Sequence, residues 1–192
     1  MIMTICVFCS SSEDLDNKYY SIAEELGKQL GTRGSKLIHG AGSIGLMGVL
    51  MRSAYNNGAE ITGVVPKYLN RKNIVNDDYQ KLVITKDMKD RKEYMRKNSD
   101  AFIALPGGFG TMEELLEVIT LKQLKYHNKP IVIINAYNYY HNLLQQFKEF
   151  YDQKFANISY KALYHVTDDI SAALNYIDSY KHENIYDKYL NE

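Results

Sequence analysis

The stretch Asp100–Glu117, D-A-F-I-A-L-P-G-G-F-G-T-M-E-E-L-L-E, decides the fold. Ala101 to Leu105 is a short apolar run that fits a buried strand. Pro106 ends it, and Gly107, Gly108 and Gly110 free the backbone for a tight turn and for close approach to a ligand. Thr111 is placed to cap a helix whose first turn carries Glu113 and Glu114. A strand, a glycine loop and a helix start together aim backbone N–H groups and the positive end of the helix dipole at one point, so a phosphate is the natural guest. The two carboxylates do not bind anions; they serve helix capping or another purpose.

On either side of this stretch, strand-like and helix-like patterns alternate. Strands are expected at Thr4 to Cys9, Lys36 to His39, Ile61 to Val65, Lys81 to Thr85, Pro130 to Asn135 and, shorter, Tyr164 to Thr167. Helices are expected at Lys18 to Arg33, Leu46 to Asn57, Lys89 to Ser99, from the capping Thr111 to about Tyr126, His141 to Phe155 and Ile170 to Tyr180. Gly34 and Gly58 close the first two. Lys67 to Asp78 is polar and aperiodic and reads as a loop over the site with one helical turn. The alternation predicts an α/β domain spanning residues 1–192, with a parallel sheet of six to seven strands and helices on both faces. In such a sheet ligands bind beyond the carboxyl ends of the strands, near the switch point in strand order. Ser10–Ser12, Gly40–Gly45 and Gly107–Gly110 follow the first, second and fifth strands, so all three loops fall on that edge.

Lys plus Arg and Asp plus Glu both number 23, so the net charge is zero. That argues against a nucleic-acid binder working through bulk charge. No apolar run approaches the roughly 20 residues of a membrane span. The opening M-I-M-T-I-C-V-F-C lacks the basic start and cleavage site of a signal peptide, so the expected location is cytoplasmic. Cys6 and Cys9 form C-x-x-C, but on an extended apolar stretch positions three apart face opposite sides. A redox pair normally opens a helix, and no second C-x-x-C or close His pair completes a zinc site, so two small apolar residues are the preferred reading and no metal is expected.

Gly40, Gly42 and Gly45 form G-x-G-x-x-G, a weak signal alone. Its strand is second in the chain and no acid is placed for a cofactor ribose; Asp77 and Asp78 are too far on. A mononucleotide is preferred over NAD, and a glycine turn that merely packs strand against helix is the alternative. Arg91 and Lys92 open the helix before the central stretch and are expected to face the same cleft. Arg91 offers a planar fork to a phosphate or carboxylate. On charge alone, a solvated face shared with Lys86, Lys89, Arg96 and Lys97 is the stronger reading.

P-G-G-F-G-T-M-E-E, Pro106 to Glu114, resembles the P-G-G-x-G-T-x-x-E motif of the LOG (Lonely Guy) family of cytokinin-activating phosphoribohydrolases. The flanking segments fall in the family's order. Val7–Ser12 resembles V-Y-C-G-S-S, His39–Gly48 resembles Y-G-G-G-x-x-G-L-M-G, Gly63–Pro66 resembles G-V-I-P, and Met88–Lys92 resembles M-H-x-R-K. Ala101–Pro106 is the family's A-F-I-A-L-P, and Gln123–Leu124 with His127–Pro130 resembles Q-L-G-x-H-x-K-P. The match runs from about Thr4 to Tyr140; the last fifty residues add little.

The resemblance implies a Rossmann-like, doubly wound fold, a homodimer, no cofactor, and hydrolysis of the N-glycosidic bond of nucleoside 5′-monophosphates, N6-substituted adenosine monophosphates or AMP. The products are free base and ribose 5-phosphate. It implies Arg91 and Glu114 as the catalytic pair and Gly107, Gly108, Gly110 and Thr111 as the phosphate cradle. Met88, Lys92, Ser12, Gly42 and Glu117 complete the expected site. For Glu117, one turn beyond Glu114, a solvated acid is an equal reading. Ser10, Ala41 and Lys89 stand where the family has Gly, Gly and His, and Leu121 and Lys125 replace its Trp and Gly. Ser10 and Ala41 are expected to narrow the nucleotide loops; Leu121 and Lys125 bear on base preference and the dimer. Two other functions are weighed: a non-catalytic nucleotide sensor or carrier, which needs neither Arg91 nor Glu114, and a lysine decarboxylase, which needs a pyridoxal Schiff-base lysine in a context that Lys92 lacks.

Overall fold

The computed structural model describes residues 2–71, 75 and 80–182. The elements are β1 Thr4–Phe8, α1 Asn17–Thr32, β2 Lys36–His39, α2 Gly45–Asn56, β3 Glu60–Pro66, β4 Lys81–Thr85 and α3 Met88–Lys97. They continue with β5 Ala101–Ala104, α4 Phe109–Gln123, β6 Ile131–Ile134, α5 His141–Asp152, β7 His165–Thr167 and α6 Ile170–Ser179. The strands form one seven-stranded sheet in the order β4-β3-β2-β1-β5-β6-β7. Every pairing is parallel; Ile5 lies beside both Leu37 of β2 and Ala101 of β5.

The chain winds outward from β1 to β4, then returns through α3 to β5 on the other side of β1. This reversal makes the β1/β5 boundary the switch point, where a crevice opens beyond the strand ends. Side chains alternate along β1. Ile5, Val7 and Cys9 pack with α1, α2 and α6, while Cys6 and Phe8 pack with α4, α5 and Met95 of α3. The two cysteines thus lie on opposite faces of the sheet as free, buried thiols, and burial pushes both thiol pKa values up. No described helix is long and apolar enough to cross a membrane. Among the described residues, no group of three or more His, Cys, Asp or Glu is gathered for a metal ion.

Three helices end alike, and one of the endings carries strain. After α1, Ser35 N–H donates to the Leu30 carbonyl and Gly34 N–H to Gly31, with Gly34 at φ +67. After α2, Ala59 N–H donates to Ala54 and Gly58 N–H to Tyr55, with Gly58 at φ +99. After α4, Tyr126 N–H donates to Leu121 and Lys125 N–H to Lys122, but here the left-handed residue, φ +62, is Lys125. This two-bond helix stop favours glycine because a Cβ crowds the following carbonyl in the left-handed region. Lys125→Gly is therefore expected to stabilise the protein by about 1 kcal/mol, raising the melting temperature by roughly 2–4 °C in a thermal unfolding scan. An unchanged or lower midpoint would mean that the lysine side chain contributes more than its backbone strain costs.

Candidate active site

Beyond the carboxyl ends of β1, β2, β3 and β5 lies a cleft of about 490 Å³. Cys9 to Ser12 line it from the β1 loop, Gly40 and Gly42 from the β2 loop, and Gly108, Gly110 and Thr111 from the β5 loop and α4. Arg91 of α3 and Glu114 of α4 complete the wall. The cleft thus brings together Ser12, Gly42, Met88, Arg91, Gly108, Gly110, Thr111 and Glu114. Gly107 is buried just behind it.

Arg91 and Glu114 are 7% and 8% exposed, unusual burial for charged residues. The guanidinium Nη1 donates to Glu114 Oε1 at 2.7 Å and Nε donates to the Val64 carbonyl at 3.0 Å. Nη2 lies against the backbone of Gly40, where a Cβ would overlap it. Glycine at position 40 is therefore a close-approach requirement of Arg91. Burial pushes the Glu114 carboxyl above its ordinary 4.5, and the Arg91 guanidinium pulls against that. Behind the pair, burial and secondarily the charge of Arg91 push the imidazole of His39 down to about 3, so it is neutral near pH 7.

Arg91 and Lys92 do not face the same cleft. Successive helical residues differ by about 100° in direction. Lys92 turns to Glu113 and to Glu117, with Nζ 2.6 Å from Glu117 Oε2. Burial alone would lower the Lys92 ammonium; its bonds to the two carboxylates reverse that and hold it above its ordinary value. Lys92 and Glu117 instead border a small gap behind Glu114, with Phe8 and Arg96. Glu113 reaches the rim of the cleft while remaining paired with Lys92.

Helix α4 starts two residues before the expected cap. Gly108 is its N-cap, in an extended conformation with no side-chain bond, so Gly110 is a helical residue and Glu113 and Glu114 fall beyond the first turn. Thr111 is buried against Gly107, where a Cβ would overlap its hydroxyl. A glycine can enter a helix without a capping side chain, which leaves the first amides open to an external acceptor. Added Cβ atoms at Gly108 and Gly110 would meet nothing within 4 Å, consistent with room for a guest.

At the start of α2, Gly45 adopts φ +62 directly beneath Ser11 and Ser12. Gly42 N–H donates to Met47 Sδ at 3.0 Å. Ala41, also left-handed at φ +63, is wholly buried with Val65 and Val75 and does not narrow the cleft. Ser10 does line it, its hydroxyl accepting from Ser12 N–H at 3.0 Å. Of the expected loop over the site, Lys67–Leu69 is a 3₁₀ turn and Leu69 reaches the cleft. Val75 bridges to Gly42. Residues 72–74 and 76–79, including Asp77 and Asp78, lie outside the described residues. Val65, Pro66, Leu69 and Met47 add an apolar wall; only G-V-V-P hinted at it. Tyr139 and Tyr140, which bond the carbonyls of Gly107 and Leu105, gave no sequence signal at all.

A buried acid–guanidinium pair, an uncapped helix start and an apolar wall in one crevice suit an anionic ligand whose reacting centre becomes cationic. Residues 47–177 match the family model described as "Possible lysine decarboxylase". A probable cytokinin riboside 5′-monophosphate phosphoribohydrolase of Oryza sativa subsp. japonica is 39% identical over 186 residues, 96% of this chain and 74% of that protein. The chain belongs to this family, the LOG family. A cytokinin riboside 5′-monophosphate phosphoribohydrolase of Arabidopsis thaliana is 48% identical over 140 residues, covering 73% of this chain and 66% of that protein, just under two thirds of its length. Among solved structures, the Moco carrier protein of Chlamydomonas reinhardtii is similar with a TM-score of 0.70 and 23% identity, covering 93% of this chain and 96% of that one. The molybdenum cofactor binding protein of Rippkaea orientalis also gives 0.70, at 20% identity over 93% and 97% of the two chains. These two likenesses show the fold alone and carry no site assignment.

Proposed function

We propose that this LOG-family chain, a single nucleotide-binding domain, hydrolyses the N-glycosidic bond of adenosine 5′-monophosphates, including N6-modified ones, to free base and ribose 5-phosphate. The observation that carries the reading is the buried Arg91–Glu114 pair facing the cleft beside the uncapped start of α4. The 5′-phosphate sits on the amides from Gly108 onward, with Thr111 and Ser12 at its edge. The apolar wall with Met88 takes the base, and Gly42 lets the nucleotide approach the β2 loop.

As the C1′–N bond breaks, positive charge develops on the ribose, as in an oxocarbenium ion. Glu114 stabilises that charge and accepts a proton from the attacking water. The water oxygen bonds to C1′, the bonding electrons leave with the base, and the base takes up a proton. Arg91 keeps Glu114 oriented through Nη1 and offers Nη2 to the ribose hydroxyls. Lys92 and Glu117 act from behind, fixing the α3–α4 contact.

The names of the relatives support this reading. The decarboxylase label does not fit the residues: pyridoxal chemistry needs a Schiff-base lysine, no lysine is among the described residues lining the cleft, and Lys92 is tied to two carboxylates. A pure carrier would have no use for a buried acid in its cleft, and a buried ion pair is a weak source of stability. A homodimer fits Phe109, Leu116 and Leu124 on α4 and its end, which are 97%, 40% and 40% exposed. Leu115 and Ile119 of the same helix are core.

The test is product analysis by chromatography after incubation with AMP, N6-isopentenyl-AMP and the corresponding nucleosides. Base released from the monophosphates, and from the nucleosides far more slowly, is the expected result. Binding without base release would favour the carrier reading.

A further inference from the structure

The phosphate loop meets an anion with N–H groups only if its carbonyls point elsewhere, and four consecutive carbonyls are occupied by donors from the protein. Leu105 accepts from the Tyr140 hydroxyl at 2.6 Å, Pro106 from Ser10 N–H at 3.3 Å, Gly107 from the Tyr139 hydroxyl at 2.8 Å and Gly108 from Met112 N–H at 3.0 Å. In a trans peptide the C=O and N–H of one unit point in opposite directions. Tying the Gly107 carbonyl back to Tyr139 therefore turns the Gly108 N–H the other way, toward the cleft. Gly107 and Gly108 are the residues most free to flip that peptide, because neither has a Cβ to hinder it.

The segment that supplies the two hydroxyls is itself unusual. Tyr137 and Asn138 both have positive φ, +54 and +58, a conformation that is strained for residues other than glycine. It is held by Asn135, whose side chain accepts from Tyr140 N–H at 2.8 Å and whose carbonyl accepts from Asn138 N–H at 3.2 Å. Tyr137 and Tyr139 both rest edge-on against Tyr19 of α1. Tyr140 is buried, but Tyr139 is 42% exposed, so burial of its ring accounts only partly for its placement.

We infer that Tyr139 is a positioning residue, whose hydroxyl holds the Gly107–Gly108 peptide in the orientation that receives a 5′-phosphate. The inference rests on the proposed phosphoribohydrolase reading for its substrate, and on the loop geometry alone for its anion. Tyr139→Phe removes the hydroxyl and keeps the ring against Tyr19 and Tyr140.

The experiment compares Tyr139→Phe with the unaltered protein in steady-state base release from AMP and adenosine, in calorimetric binding of AMP and ribose 5-phosphate, and in melting temperature. The expected result is a KM for AMP, and dissociation constants for AMP and ribose 5-phosphate, raised about tenfold, the upper range for one lost hydrogen bond. The expected kcat is unchanged within about twofold, with adenosine turnover and melting temperature unaltered. Unchanged affinity for both phosphate-bearing ligands overturns the inference. So does an equal loss on adenosine together with a lower melting temperature, which would mark a general packing role. If the unaltered protein releases no base, the hydrolase reading fails on its own, and the calorimetric comparison still decides the role of Tyr139.

Discussion

Glu114→Gln is expected to reduce base release from AMP by about a thousandfold, within the range typical for loss of a positioned acid–base group. Glutamine keeps the length and can still accept a bond from Arg91 Nη1. It can neither take a proton from water nor place a negative charge beside a cationic ribose. The affinity for ribose 5-phosphate, measured by calorimetry, is expected to change by less than about threefold, because in the proposed binding mode the phosphate rests on backbone amides rather than on position 114. A variant retaining more than about a tenth of the activity would remove Glu114 from the chemistry and move the water-activating role to another group in the cleft.

The unaltered enzyme gives a second reading of the same residue. In the proposed mechanism the ionised carboxylate is the active form, and burial raises its pKa above the ordinary 4.5. The acidic limb of the kcat/KM profile is therefore expected above pH 4.5, with activity falling as pH decreases through it. A limb at or below that value would mean that Arg91 outweighs burial, or that a different group titrates.

The second large effect is on stability. Arg91→Met is expected to cost about 3–5 kcal/mol near neutral pH, the usual price of leaving a buried charge without its partner. The loss should be read as a shift in denaturant midpoint at unchanged slope. The lost guanidinium also leaves the Val64 carbonyl without the donor now 3.0 Å away. Without its cation, Glu114 in the folded state holds a proton to still higher pH than in the unfolded chain. Its unfavourable burial is then absent below the unfolded value near 4.5 and grows as pH rises through the folded one. The deficit of the variant should accordingly shrink between pH 7.5 and pH 5. Adding Glu114→Gln to Arg91→Met should recover part of the loss, because the two residues are coupled. Equal deficits at both pH values, with no recovery in the double variant, would assign the cost to lost packing of the arginine stem. Arg91→Lys is not a neutral control, since an ammonium cannot serve Val64, Glu114 and the cleft with one planar fork.

Much of this arrangement is legible in the amino-acid order because strand, loop and helix are local features. The apolar run before Pro106, the polar intervals and the glycine positions mark β5 and α4 directly. The same periodicities place the remaining strands and helices within a few residues, and the order of the elements implies a parallel sheet with its loops on one edge. Thr111 followed by two glutamates looks like a helix start in sequence, but the cap is Gly108, whose extended backbone opens α4 without a side chain. Lys92 faces Glu113 and Glu117 rather than the cleft; an Arg–Lys pair shows its charge in sequence but not which neighbour lies about 100° away across a helix interface. Ala41 and Lys125 show as departures from family glycines, yet their strain appears only as left-handed backbone angles.

The sequence by itself determined the fold class and the three loops that gather at one edge, and its motifs singled out Arg91 and Glu114 as candidates, all through local pattern. Tertiary structure alone decided that these two side chains are buried together and that Lys92 is consumed by Glu113 and Glu117. It alone decided, too, that Tyr139 and Tyr140 turn the loop carbonyls away from the cleft. The physical reason is the same in each case. These are contacts between residues 21 or more positions apart, on α3 and α4 or on the β5 loop and the segment after β6. Their geometry depends on how helices pack across the sheet, which no local propensity encodes.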